Sequence, residues 1–186
     1  MLTQFTNASS RAYFFGAVSF VAVLILSGCA AETVSRTSLN RDLLTRENIR
    51  RVAVFPFESS IEDPMAGAHI SRLFEMQLLQ TGLYQIADKS TLEKAFKNWG
   101  AARSPVMDLS ALNQLIEQAG VEGVVLGVVS QYGRSNFGFT ARLVSTKSGL
   151  VLWSVSQTAG QVVRPLSQVA DEAVRAAVKD LQVNLR

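Results

Sequence analysis

The stretch from Val121 to Ala159 constrains the fold of this chain more than any other. It opens with an apolar run, Val124-Val125-Leu126-Gly127-Val128-Val129, then Ser130-Gln131-Tyr132 and a break at Gly133-Arg134-Ser135-Asn136. Alternation follows, with Phe137, Phe139, Ala141 and Leu143 on one side and Gly138, Thr140 and Arg142 on the other. Thr146-Lys147-Ser148-Gly149 makes a turn, after which Val151, Trp153 and Val155 alternate with Leu152, Ser154 and Ser156. A period of two in β-branched and aromatic residues, punctuated by glycine-containing turns, predicts three consecutive strands in an antiparallel meander. The first strand has no polar face, so it is expected at the centre of the sheet with both faces covered. The other two should each keep one wetter face.

The remaining elements must pack on that meander. Val52-Ala53-Val54-Phe55-Pro56-Phe57 reads as an apolar strand that is edge-like or ends at Pro56, since proline cannot donate to a ladder. Glu58 to Pro64 reads as a polar loop. Ala66, Ile70, Leu73, Phe74 and Leu78 keep helical spacing over Met65–Gln80, with Gly82 as the cap. Leu83–Ala87 is a short strand. Ser90-Thr91-Leu92-Glu93 has the pattern of a capping box opening a helix to about Asn98. Asp108 is placed to cap a helix to Ala119, ended by Gly120. After Pro165, Leu166, Val169, Ala170, Ala173, Val174, Ala177, Val178 and Leu181 recur at strict helical spacing. The expected fold is α/β (α+β), in the order β-α-β-α-α-β-β-β-α, with helices packed on a mixed sheet.

The N-terminal region has a different character. Tyr13–Leu26 is 14 residues without a charge, which suits the apolar region of a signal peptide and falls short of the ~20 residues a spanning helix needs. It ends in Leu26-Ser27-Gly28-Cys29, a pattern similar to the bacterial lipobox, in which the cysteine is lipidated and becomes the new N-terminus. The chemistry requires a thiol at that junction and small residues before it. The segments expected are therefore a signal peptide over 1–28, a lipidated tether over 29–49 and a single domain over 50–186. The tether is polar, with a helical turn near Leu39–Leu44, and as a coil of about 20 residues it would span roughly 25 Å. Fully extended it would reach about 70 Å, letting the domain stand off the membrane.

Composition narrows the function. The formal net charge is +3, and no Lys/Arg run exceeds two residues, so the chain lacks a nucleic-acid footprint. The single cysteine excludes an intrachain disulfide. The only histidine, His69, sits inside a helix, so no Ser/His/Asp set can be built on it. Glu58, Glu62 and Asp63 share a loop whose spacing matches no EF-hand. We read no enzyme, cofactor, metal site or small-molecule substrate from these residues. Candidate partner contacts are Trp99 and Arg103, in a loop after a helix, and Tyr132 and Arg134, at a hairpin tip. A tryptophan beside an arginine has the composition of a binding hot spot; the alternative is that Trp99 folds back on the core.

Four segments together resemble the curli-secretion CsgG/HfaB family of outer-membrane lipoproteins. They are Val52–Phe57, Leu83–Lys94, the Ala119–Gly127 strand entry and the Lys147–Ser154 turn with its Leu-Trp. A related periplasmic fold occurs in lipoprotein activators of penicillin-binding proteins and in the N-terminal domain of TolB. The resemblance implies a lipid-anchored protein on the outer membrane, facing the periplasm. It would be a non-catalytic assembly or secretion component meeting an envelope protein or copies of itself. The alternative it implies is an activator of a peptidoglycan synthase. Channel-forming members carry extra amphipathic hairpins. Membrane strands need ~9–11 residues each, and no stretch left over from the elements above supplies such a pair.

Overall fold

The meander is the spine of the domain. The computed structural model describes residues 33–61, 63–98, 109–133, 136–160 and 164–183. In chain order these form β1 (Thr33–Leu39), α1 (Arg41–Glu47), β2 (Arg51–Val54), β3 (Glu58–Ser59), α2 (Pro64–Thr81) and β4 (Gln85–Ile86). They continue as α3 (Lys89–Asn98), α4 (Leu109–Ala119), β5 (Gly123–Tyr132), β6 (Asn136–Ser145), β7 (Val151–Gly160) and α5 (Leu166–Val183). The strands make one mixed sheet in the order β1-β7-β6-β5-β2-β4, with β3 also on β5. β5, β6, β7 and β1 pair antiparallel, whereas β2 and β3 lie parallel to β5 and β4 lies parallel to β2. The α/β class and the three-stranded meander are therefore as the sequence predicts, and β5 is central.

Each face of the sheet carries a helix pair, the first face along its length and the second over its β2–β5 side. On one face, Val52, Val54, Val125, Val129, Phe137, Phe139, Ala141, Leu143, Trp153 and Val155 meet α2 and α5. α2 contributes Ala66, Ile70, Phe74 and Leu78, and α5 contributes the Val/Ala stripe from Val169 to Leu181. The small alanines in that stripe let the helix axis approach the sheet. On the other face, Ala53, Phe55, Val124, Leu126 and Val144 are covered by Leu92 of α3 and by Leu115 and Ala119 of α4.

Four expectations are corrected. First, residues 33–47 are not tether. β1 runs antiparallel to β7 over seven residue pairs, from Thr33 opposite Ala159 to Leu39 opposite Trp153. α1 follows, capped by Asn40, whose Oδ1 accepts from the Leu43 amide at 3.1 Å, and it buries Leu44. Second, the 58–64 loop holds β3, and Asp63 caps α2 by accepting from the Met65 amide at 2.9 Å. Third, Leu152 rather than Val151 enters the core, being 0% exposed against 45%. The pairing of β6 and β7 slips by one residue between Leu143 and Val144, and a one-residue slip exchanges faces.

Fourth, the helix at Lys89 is capped by Asp88, not by Ser90. The Asp88 carboxylate accepts from the Thr91 amide at 3.2 Å and from the Ser90 hydroxyl, and the Asp88 carbonyl accepts from the Leu92 amide at 3.1 Å. The Ser90 hydroxyl and then the Thr91 amide hold the Asp88 carboxyl below the ordinary carboxylate range. Because the folded value is the depressed one, the cap's stabilisation is present above the unfolded carboxyl's titration and is lost as pH falls through the folded value. An NMR titration should show Asp88 ionising below a free aspartate, and Ser90→Ala should move it upward. An unmoved Asp88 in Ser90→Ala would contradict this capping geometry.

Tyr84 offers a contrasting test. It is 6% exposed, and burial pushes its hydroxyl up to about 12. That hydroxyl has no hydrogen-bond partner among the described residues. A buried hydroxyl without a partner costs about 1–3 kcal/mol. Tyr84→Phe keeps the ring and removes the hydroxyl, so it should leave stability unchanged or raise it by about 1 kcal/mol. A thermal melt reads this directly, and clear destabilisation would show that the hydroxyl is satisfied.

Candidate interaction surfaces

Among the described residues, the second face of the sheet is only partly covered. α3 and α4 sit over the β2–β5 side, while the β6-β7-β1 side carries polar side chains in register. One cross-strand row is Arg36, Ser156 and Thr140; the next is Ser38, Ser154 and Arg142. Arg36, Ser38 and Thr140 are exposed, and Ser154, Ser156 and Arg142 are half-buried. This strip lines a depression of about 620 Å³ with Leu126 at its floor. A second hollow of about 650 Å³, lined by Asn40, Arg41, Asp42 and Val151, shares Ser38 and Ser154 with it. Arg36 and Arg142 lie two strands and one pleat apart, roughly 12 Å between Cα atoms. Guanidinium and hydroxyl groups at that spacing suit a partner offering carboxylates, carbonyls or hydroxyls.

Among the described residues, β1 pairs only with β7 and ends the sheet, so its outer edge is open there. An edge strand presents unpaired backbone N–H and C=O groups and is a template for pairing with another chain. Arg36 lies on this edge strand, a charge of the kind that limits indiscriminate pairing.

At one end of the sheet, aromatic rings form a continuous line on the first face. Phe57 stands 5.2 Å from Phe74, Phe74 5.6 Å from Phe139, and Phe139 5.8 Å from Phe137. Phe137 is 6.1 Å from Tyr132, and Tyr132 lies edge-on to His69 at 6.2 Å. Burial, and then the nearby Asp63 carboxylate, raise the Tyr132 hydroxyl above its ordinary value. His69 Nε2 is buried and has no hydrogen-bond partner among the described residues. His69 is thus a packed side chain at the end of an aromatic row. Among the described residues, no group of three or more His, Cys, Asp or Glu is placed to hold a metal ion.

Of the residues singled out from sequence, Tyr132 is described, half-buried in this aromatic row. Leu26, Ser27, Gly28, Cys29, Trp99, Arg103 and Arg134 lie outside the described residues. Sequence reasoning misses the Arg36–Arg142 strip because β1, polar in sequence, reads as tether. The β6 and β7 halves of the strip were visible as the polar sides of Thr140-Ala141-Arg142 and Ser154-Val155-Ser156. No helix among the described residues is long and apolar enough to cross a membrane.

No family model matches the chain, and no curated protein matches it. Among solved structures it is similar to the PelC dodecamer from Paraburkholderia phytofirmans, at 21% identity and a TM-score of 0.57, covering 81% of this chain and 98% of that one. It is similar to lipoprotein GNA1162 from Neisseria meningitidis, at 22% identity and a TM-score of 0.55, covering 73% of this chain and 99% of that one. The LpoB C-terminal domain from Escherichia coli matches at 12% identity and a TM-score of 0.50, covering 65% of this chain and 95% of that one. At these identities the likeness is one of fold. It supports the LpoB-like fold that the sequence resemblance implies, and it does not show membership of the curli-secretion family.

Proposed function

We propose that this chain is a non-catalytic envelope lipoprotein, anchored to the outer membrane through Cys29 and facing the periplasm. In this reading it works as a subunit of a secretion or surface-assembly apparatus, associating with copies of itself. The observation that carries the reading is the fold likeness, over most of the chain, to PelC, a protein whose structure is a dodecamer. The open β1 edge and the Arg36–Arg142 strip give such association two surfaces to use. A second reading, an activator of a penicillin-binding protein, is favoured by the likeness to LpoB.

Two measurements test the proposal. Intact-mass analysis of the detergent-extracted protein should give a chain beginning at Cys29 and carrying acyl chains; one chain alone anchors only marginally, so several are expected. A chain that begins elsewhere, or lacks acyl mass, would remove the anchor. A photo-reactive residue placed at Ser156 should then yield self-adducts in the membrane. Adducts to a synthase alone would move the assignment to the second reading.

A further inference from the structure

We infer that the domain stands on the lipid surface by one particular end of its sheet, the end holding Thr33, Met65 and Asn136. This rests on the proposed acylation of Cys29, and it adds the orientation, which that proposal leaves open. The partner of this surface is the bilayer.

Chain length sets the orientation. Cys29 precedes Thr33 by only four residues, a reach of at most about 14 Å. Beyond Thr33 the chain is fixed, because seven residue pairs hold β1 on β7. The β1 start lies opposite Ala159, at the same end of the sheet as the β6 start, where Asn136 pairs with Gly160. α2 begins at that end too, because β3 pairs with Val128 and Val129 late in β5 and leads directly into it. The opposite end carries Leu83 before β4 and Leu150 before β7. The ten-residue strands separate the two ends by roughly 33 Å, more than twice the tether's reach. The domain could stand on its Leu83–Leu150 end only if β1 peeled off the sheet.

Apolar exposure by itself points the other way, which makes the inference discriminating. Leu83, Leu150 and Val151 are 39%, 48% and 45% exposed. At the Thr33 end the comparable residues are Val34, 43% exposed, and Met65, 67% exposed. A free domain sorted by apolar surface would have no reason to prefer the Thr33 end. The short tether imposes that preference and, with the domain standing on the Thr33 end, turns Leu83, Leu150 and Val151 away from the membrane.

The test uses the full acylated chain in vesicles of phosphatidylethanolamine and phosphatidylglycerol. An environment-sensitive fluorophore is attached at Val34→Cys, Met65→Cys, Leu83→Cys or Leu150→Cys, one site at a time, with nitroxide-labelled lipid as the quencher. Quenching at Val34 and Met65 should exceed that at Leu83 and Leu150 by about threefold or more, given the ~33 Å between the ends. Inserting about twenty Gly/Ser residues between Glu32 and Thr33 should erase the difference while the protein stays bound, since such a spacer spans about 25 Å. If acylated, vesicle-bound protein is quenched equally at both ends or more at Leu150, the orientation is overturned and the anchor stands. If the protein carries no acyl chain and stays free of vesicles, the anchor itself fails, and the orientation with it.

Discussion

Gly67→Ala should destabilise the domain by about 3 kcal/mol, the upper part of the range for overpacking a tight core. A Cβ at residue 67 would collide with the backbone carbonyl of Phe57. The obstacle is main chain, so no rotamer change relieves it. Either α2 lifts from the sheet or the Phe55–Phe57 segment moves. Phe57 cannot yield easily, because its ring already occupies the space that a Cβ at Gly127 would take and packs on Phe74. At ~2–4 °C per kcal/mol for a domain of this size, the melting temperature should fall by roughly 6–12 °C. Gly82 is the control. It sits at φ 66° with open space around it, so Gly82→Ala meets only backbone strain, about 1–2 kcal/mol. A Gly67→Ala protein melting with the wild type would mean that α2 is not seated against Phe57.

The second large effect concerns the N-terminal boundary. A chain beginning at Arg50 would be sufficient if residues 29–49 were tether. It should instead be grossly destabilised relative to one beginning at Ala31. The shorter chain loses the seven β1–β7 pairs and the Asn40 amide bond to the Leu152 carbonyl at 3.0 Å. It also loses Leu44, 2% exposed, and Leu39 packed against the core. The two leucine side chains alone represent roughly 3 kcal/mol or more at ~1.5–3 kcal/mol each. The truncation further bares the edge of β7, whose Trp153 and Val155 belong to the core, so self-pairing and aggregation are expected. Chemical denaturation of both chains reads the difference, and equal midpoints would restore the tether reading.

What the sequence made legible and what it hid have a common physical origin. The meander and α5 are periodic because one side of each meets a dry core: Phe137, Phe139 and Leu143 in one case, Val169 through Leu181 in the other. β1 has no such pattern. Thr33-Val34-Ser35-Arg36-Thr37-Ser38-Leu39 is mostly polar on both sides; among the described residues its outer edge is unpaired and Leu39 is its member packed against the core. Its pairing partner lies more than a hundred residues away, beyond the reach of local propensity. β3 is two residues long and exists only because β5 extends past β2 to receive it. Leu152 enters the core through a one-residue slip between β6 and β7, which periodicity cannot register. At the candidate surfaces, Tyr132 reads in sequence as a residue near a hairpin tip, yet the structure commits its ring to the aromatic row. The Arg36–Arg142 strip is assembled from three strands, so it became visible only once the register was known.

The measurement that bears most directly on the proposed role is cross-linking of the acylated protein in intact membranes, followed by mass analysis of the captured species. Self-association predicts a ladder of multiples of the chain mass, lost when β1-edge and strip residues such as Arg36 and Arg142 are replaced by glutamate. A chain that remains monomeric at every cross-linker dose, or that yields a single band containing a different envelope protein, would contradict it.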